Sequence, residues 1–388
     1  MFRLTAVLVT LLVVGAACTA EPSPAPPAPE SLVWAPVPLS AGVVLPRTLA
    51  HDGDAVLVAG ERHGRDGYTP AAWVVRGRTA TPLVLRPRSA YSFSADLVAG
   101  SLAGDAVTLL GQRAGGAHGN PRWTIWSGSV TRGVDDLPQT FETFGGPDSL
   151  GLVALSALPG RPLLLGNWEQ EDDRAGPALW RSSGSRWIRT PAGTGLRSTA
   201  REQHLATGLG TLGDRPVVLG HSVPLGSGKP GLVPTVWLGE PGMLGEPEMA
   251  AEPGMASWRA IRLGRAPVAY PLDLSCSGRT CLVATRAPGA GVTAWQVGAD
   301  GRVRELPSLP EARNATWAQV AAVSDGGVVA YGTANASVFG RWSGAEGTWR
   351  SATAPTGQVR DLAAVGRGLL AIVGDGNDEN SPRRLVAA

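Results

Sequence analysis

Short apolar runs, each closing on a small residue, recur along this chain: Val56–Gly60, Val107–Gly111, Leu163–Gly166, Val217–Gly220, Leu282–Thr285, Val328–Gly332 and Leu369–Gly374. Runs this short, bounded by turn residues, read as buried strands. A tryptophan follows in the next run, at Trp73, Trp126, Trp180, Trp237, Trp295 and Trp342, with intervals of 53, 54, 57, 58 and 47 residues. The interval before Trp295 holds an insertion, Gly242–Gly254. A third marker comes one run later, at Trp187, Trp258 and Trp349, with Val303 and Val84 in the equivalent places elsewhere. Preceding each unit is a stretch rich in small residues, as at Leu97–Leu102, Leu152–Leu158, Leu205–Leu212 and Val320–Val323. Leu163–Pro191 shows most of the pattern in one place.

Four short strands per unit of about 50 residues is the signature of a β-propeller blade. The small-residue strand belongs nearest the axis, where strands crowd together. The tryptophans belong in the wider gaps between blades, each burying on the order of 200 Å². The last unit, from Val359 to Ala388, is one strand short, and Ser31–Pro38 carries Trp34 with trailing prolines. Leu32–Pro36 is therefore expected to supply the missing strand, which joins the chain ends and leaves no free edge. The expectation is an all-β fold of seven four-stranded blades spanning 31–388, with six or eight the alternative counts.

Composition agrees. Only 17% of residues are charged, while Gly (52) and Pro (32) are abundant, as many strands joined by turns require. A net charge of +2 gives no case for a nucleic-acid partner. Lys229 is the only lysine and sits in a Gly-Ser-rich loop, so it reads as a solvated turn residue and not a Schiff-base former.

Residues 1–17 carry one positive charge, Arg3, and an apolar run too short to span a bilayer but suited to an export signal. Gly15-Ala16-Ala17-Cys18 resembles a bacterial lipobox, although Gly15 stands where an aliphatic residue is usual. The resemblance implies a lipidated Cys18 at the mature N-terminus, acylated as by palmitate, and a protein held on the outer face of the cell membrane. Two acyl chains hold firmly where one binds marginally. Cleavage near Ala17 or Ala20 and secretion is the alternative. Residues 18–30 are then a tether, semi-rigid because of five prolines. In an exported protein Cys276 and Cys281 are expected to pair as a disulfide across a hairpin turn.

Trp180–Trp187, WRSSGSRW, and Trp342–Trp349, WSGAEGTW, resemble degenerate forms of the Asp-box turn of sialidase-type repeats. The chain as a whole resembles exported bacterial β-propeller lipoproteins with such repeats. Sialidases also use an arginine triad, a Tyr–Glu pair and an early Arg-Ile-Pro motif. Leu45-Pro46-Arg47 has those elements in another order, and no glutamate matches Tyr270. The resemblance therefore implies the fold and no sialidase activity.

Candidate ligand positions fall on the face formed by the second-to-third-strand loops and the inter-blade crossings. One loop gathers Arg62, His63, Arg65 and Asp66, a set that can hold an anionic sugar or phosphate. His221 follows a strand-ending glycine at a comparable point. A second loop offers Trp168, Glu169, Glu171, Asp172 and Asp173, and a third Asp375 and Asp378, carboxylates that leave Ca²⁺ open as a weak alternative to no cofactor. Surface hairpin tips are the plainer reading of all three. At the tops of the innermost strands, Arg47, Asp96, His204, Tyr270, Gln319 and Arg360 are expected to line the channel mouth, with Asp96 pairing Arg360 or Arg47. No nucleophile elbow, phosphate-binding loop or histidine metal spacing is present, so no metal site is assigned. The functional expectation is a binding or scaffold module for a protein or cell-wall glycan. A carbohydrate-active hydrolase or lyase at the channel mouth is the alternative.

Overall fold

The computed structural model describes residues 30–39, 43–65, 67–115, 120–158, 161–170, 172–226, 231–242, 257–264, 268–278, 280–324, 326–333, 336–366, 368–375 and 382–388. The expected export signal and Cys18, the loop lysine Lys229 and most of the insertion before Trp258 lie outside these.

The strands form seven sheets arranged as a ring. Blade 1 runs Val43–Asp52, Ala55–Gly64, Gly67–Arg76 and Thr79–Pro82 from axis to rim; blade 2 runs Asp96–Ala103, Ala106–Arg113, Arg122–Ser129 and Gly133–Asp136. Blades 3 to 6 repeat the order, starting at Ser149, Glu202, Tyr270 and Trp317. Blade 7 runs Gln358–Val365, Gly368–Gly374 and Arg383–Ala387, and its rim strand is Ala35–Pro36 from the other end of the chain. The innermost strands touch one another in sequence around the whole circle, so the ring is closed. This is a seven-bladed β-propeller.

The exchange is anchored before and after the pairing of Ala35 with Ala387 and Pro36 with Val386. Glu30 bridges Ala352 on the rim of blade 6 and its carboxylate meets Arg341 at 2.8 Å. Trp34 donates its indole N–H to the Thr353 carbonyl at 2.7 Å and meets the Phe339 ring edge-on. Val37 and Leu39 then enter the core between blades 7 and 1.

The periodic tryptophans do what their spacing predicts. Trp73, Trp126, Trp180, Trp237, Trp295 and Trp342 are all buried on third strands. Trp187 and Trp258 are buried on rim strands. Val84 departs from the pattern: the rim strand of blade 1 ends at Pro82, Leu83 is the buried residue, and Val84 is exposed. Just beyond it, Leu85–Arg86 adds a fifth, parallel strand to blade 2.

The glycine that ends the second-strand marker in blades 1 and 4 also has a physical reason. Six innermost strands, all but that of blade 6, carry an irregularity in register near their upper end. The bulge presses the inner backbone against its neighbour. A Cβ on Gly60 would sit 2.2 Å from the Leu45 carbonyl, and one on Gly220 2.1 Å from that of Leu205. Cys276 and Cys281 form the expected disulfide as a directly opposed cross-strand pair in blade 5. It packs toward blade 4, where a Cβ on Gly210 would meet the Cys276 sulfur.

Candidate functional site

Second-to-third-strand loops and inter-blade links share one face of the ring, and the innermost strands begin there. In blades 1 and 7 the residue left unpaired by the bulge is an arginine, Arg47 and Arg360. A bulge re-aims its extra side chain. Arg47 places its guanidinium between two carboxylates, 2.9 Å from Glu61 and 3.1 Å from Asp96 of blade 2. Burial raises the Asp96 pKa to about 6, against the pull of Arg47, with Glu61 raising it further and Arg383 lowering it. Arg360 and Arg383 flank Gly374 on blade 7, each close to where its Cβ would stand. The channel mouth at the closure is thus a cluster of arginines and two acids. Glu61 did not stand out in the sequence, being the first residue past a strand-ending glycine.

Other mouth candidates part company. His204 is buried: Nδ1 lies 3.0 Å from the Leu196 carbonyl, Nε2 3.4 Å from Glu202, and the ring packs on Trp237 at 5.1 Å. Glu202 also binds Arg262 at 2.7 Å, so this group ties the inner edge of blade 4 to its rim. Tyr270 is exposed, with the Arg286 guanidinium 5.5 Å from its ring centre. Gln319 is half-buried at the start of blade 6.

Among the rim candidates, His63 stacks on its cross-strand partner Tyr68 at 4.5 Å, and Arg62 lies 5.8 Å over Trp73. Arg65 is exposed at the hairpin tip, and Asp66 lies outside the described residues. Trp168 is packed inward, edge-on to Trp180 at 5.8 Å and covered by the Arg189 guanidinium at 4.1 Å. The acidic loop is a tight turn in which Gln170 N–H bonds the Arg174 carbonyl and Asp173 takes a left-handed φ of 59°. Asp172 pairs with Arg174, and Glu169 is half-buried. Glu171 lies outside the described residues. Asp375 meets Arg384 at 3.2 Å, and Asp378 again lies outside. Half-buried His221 has its pKa lowered by burial. Among the described residues no three His, Cys, Asp or Glu side chains converge as metal ligands.

Two carboxylates missed in the sequence join innermost strands of adjacent blades. Asp273 of blade 5 accepts N–H groups from its own Leu274 at 2.8 Å and from Val320 of blade 6 at 2.7 Å. Asp361 of blade 7 makes the same two-handed contact with Leu362 and with blade 1. Burial raises Asp273 to about 6 and Asp361 to about 7, with the Asp273 charge adding to the second. Both follow the bulge directly. Only that placement, an acid one step past an irregularity invisible in sequence, distinguishes them.

Neither a protein-family model nor a curated protein matches the chain. Solved propellers do match in fold. YCF48, solved bound to a D1 peptide, is 13% identical with a TM-score of 0.52, over 92% of this chain and 97% of that one. The propeller domain of the Trilobed protease from Pyrococcus furiosus is 8% identical with a TM-score of 0.51, over 88% and 92%. That domain has an open velcro topology; here the last blade is completed by the N-terminal strand. A puromycin-hydrolyzing peptidase of Mycobacterium tuberculosis is 13% identical with a TM-score of 0.54, over 92% of this chain and 55% of that one. The chain likewise spans 50% of the Pyrococcus horikoshii acylaminoacyl peptidase. At such identities the likeness is one of fold.

Proposed function

We propose that this chain is a non-enzymatic binding propeller, lipid-anchored at Cys18 on the outer face of a bacterial membrane, whose loop face receives a protein partner. The carrying observation is at the channel mouth beside the closure, where Glu61 and Asp96 are held on one guanidinium, Arg47. A glycosidase needs one carboxyl free to donate a proton and a second to attack or activate water. Acids fixed on a shared arginine serve recognition and structure instead. Support for a protein over a cell-wall glycan comes from YCF48, a propeller of matching extent solved with a peptide. The degenerate Asp-box turns at 180–187 and 342–349 belong to this reading as structural hairpins.

The test is in-cell crosslinking of the full chain, followed by identification of what is joined to it, beside a glycan array. Crosslinks to a defined extracytoplasmic protein support the reading. Turnover of a polysaccharide, or array binding with no protein crosslink, overturns it. For the anchor, Cys18→Ala protein should leave the membrane fraction; retention after signal cleavage would remove the lipid from the account.

A further inference from the structure

The loop face of blade 2 presents an unusual association of side chains. Tyr91 and Phe93 belong to one turn in the link from blade 1, and Phe141 starts a single helical turn in the link to blade 3. They are exposed by 45%, 57% and 47%, far from the norm for rings in a fold whose tryptophans are mostly buried. Between Tyr91 and Phe141 stands Arg122, its guanidinium carbon 4.3 Å from the Phe141 ring centre and 6.0 Å from that of Tyr91. Phe141 is also fixed from behind, since a Cβ on Gly145 would sit 2.4 Å from its ring. Tyr91 and Phe141 are thus exposed and held in place together by Arg122, and Phe93 is exposed on the same turn as Tyr91.

Charge sharpens the picture. Arg122 is directly opposite Arg113 across the second and third strands of blade 2, and like charges so placed repel. Neither takes part in any ion pair among the described residues. The Arg122 Nε–H is buried without an acceptor. The hairpin between them, residues 114–120, contains no Asp or Glu. Glu142, next to Phe141, makes no ion pair with either arginine. Two arginines facing each other are offset when a carboxylate arrives, and guanidinium groups bind carboxylates in a forked geometry. Tyr, Phe and Arg are enriched at protein interfaces, and Tyr and Arg are among the residues that concentrate their binding energy.

Resting on the proposed protein-binding role, we infer that Tyr91, Phe93, Arg113, Arg122 and Phe141 form the docking surface, and that its occupant is a peptide segment carrying a carboxylate beside an apolar side chain. The carboxylate sits on the arginine pair and the apolar group lies against Phe93 and Phe141. Peptide is favoured over acidic glycan because the phenylalanine rings supply apolar surface without the hydrogen-bonding groups that sugar hydroxyls need.

Peptide display against the full chain in detergent tests this, with oligogalacturonate as the acidic-glycan probe. Selected peptides should combine Asp or Glu with an apolar residue. Their affinity should fall at least about tenfold in Arg113→Glu and in Phe93→Ala, both solvent-facing changes, and further in Arg122→Ala. Arg122→Lys should keep part of the binding, and unchanged melting curves show that each variant is folded. Peptides without acids, or peptides indifferent to these variants, overturn the surface. Galacturonate binding in place of peptide overturns the occupant. Crosslinking to the same partner by wild type and the Arg113→Glu/Phe93→Ala variant alike sinks this surface and leaves the broader reading standing; no protein crosslink from either removes both.

Discussion

Asp361 and Leu49 lie 312 residues apart in sequence and are joined by a 2.7 Å bond from the Leu49 backbone N–H to the Asp361 carboxylate. The bond crosses the junction of blades 7 and 1, where the ring closes. Asp361→Asn turns an acceptor into an amide donor facing an N–H, so the variant should lose about 1–3 kcal/mol of stability. Equilibrium denaturation reads this directly; an unchanged midpoint and slope would show that the bond is dispensable.

The same carboxylates give a pH signature. Asp273 at about 6 and Asp361 at about 7 hold protons more tightly in the folded chain than at their ordinary value of 3.8. Stability from this source is full below pH 4 and is lost as pH rises through 6 to 7. Half-buried His51 and His221, whose pKa values are lowered by burial, act oppositely when acidified below 6.5. The comparison of wild type with Asp273→Asn and Asp361→Asn isolates the acids. Melting at pH 5 and pH 8 should show a wider gap at pH 5, and a pH-independent gap would refute the assignment.

Arg47→Met leaves Glu61 and Asp96 facing each other in a half-buried site without their shared cation. Removing one partner of such a group costs about 3 kcal/mol. A lower melting temperature, with partial recovery on acidification as Asp96 protonates, is the expected result.

The disulfide closes a very short loop, and the chain-entropy estimate gives it about 2 kcal/mol. Cys276→Ser with Cys281→Ser should fold and melt somewhat lower. Global unfolding on reduction would mean that blade 5 depends on the bond far more than a local staple does.

Much of the architecture was legible because it repeats. Trp73, Trp126, Trp180, Trp237, Trp295 and Trp342 mark one position in six blades, and the missing strand at the end of the chain pointed to Trp34 at its start. Side-chain direction was not legible. His204 and Trp168 sit near strand ends that reach the loop face, yet both turn inward onto Trp237 and Trp180. The bulges decide which residue is left to face its neighbours, and nothing in the alternation of apolar and polar residues records them. Asp273, Asp361 and the role of Glu61 were hidden for that reason. Arg113 and Arg122 were likewise invisible as a pair, because their register depends on a hairpin whose length says little about its turn.

The rim strand at Ala35–Pro36 also sets an order of events. Its partner, Arg383–Ala387, follows the propeller's other strands in sequence, so Ala35–Pro36 must wait unpaired until those strands have been made. Blades 1 to 6 can assemble from neighbours in sequence, whereas the seventh cannot. The completed ring therefore records that every blade is present, because the segment that opens the propeller is also the one that closes it.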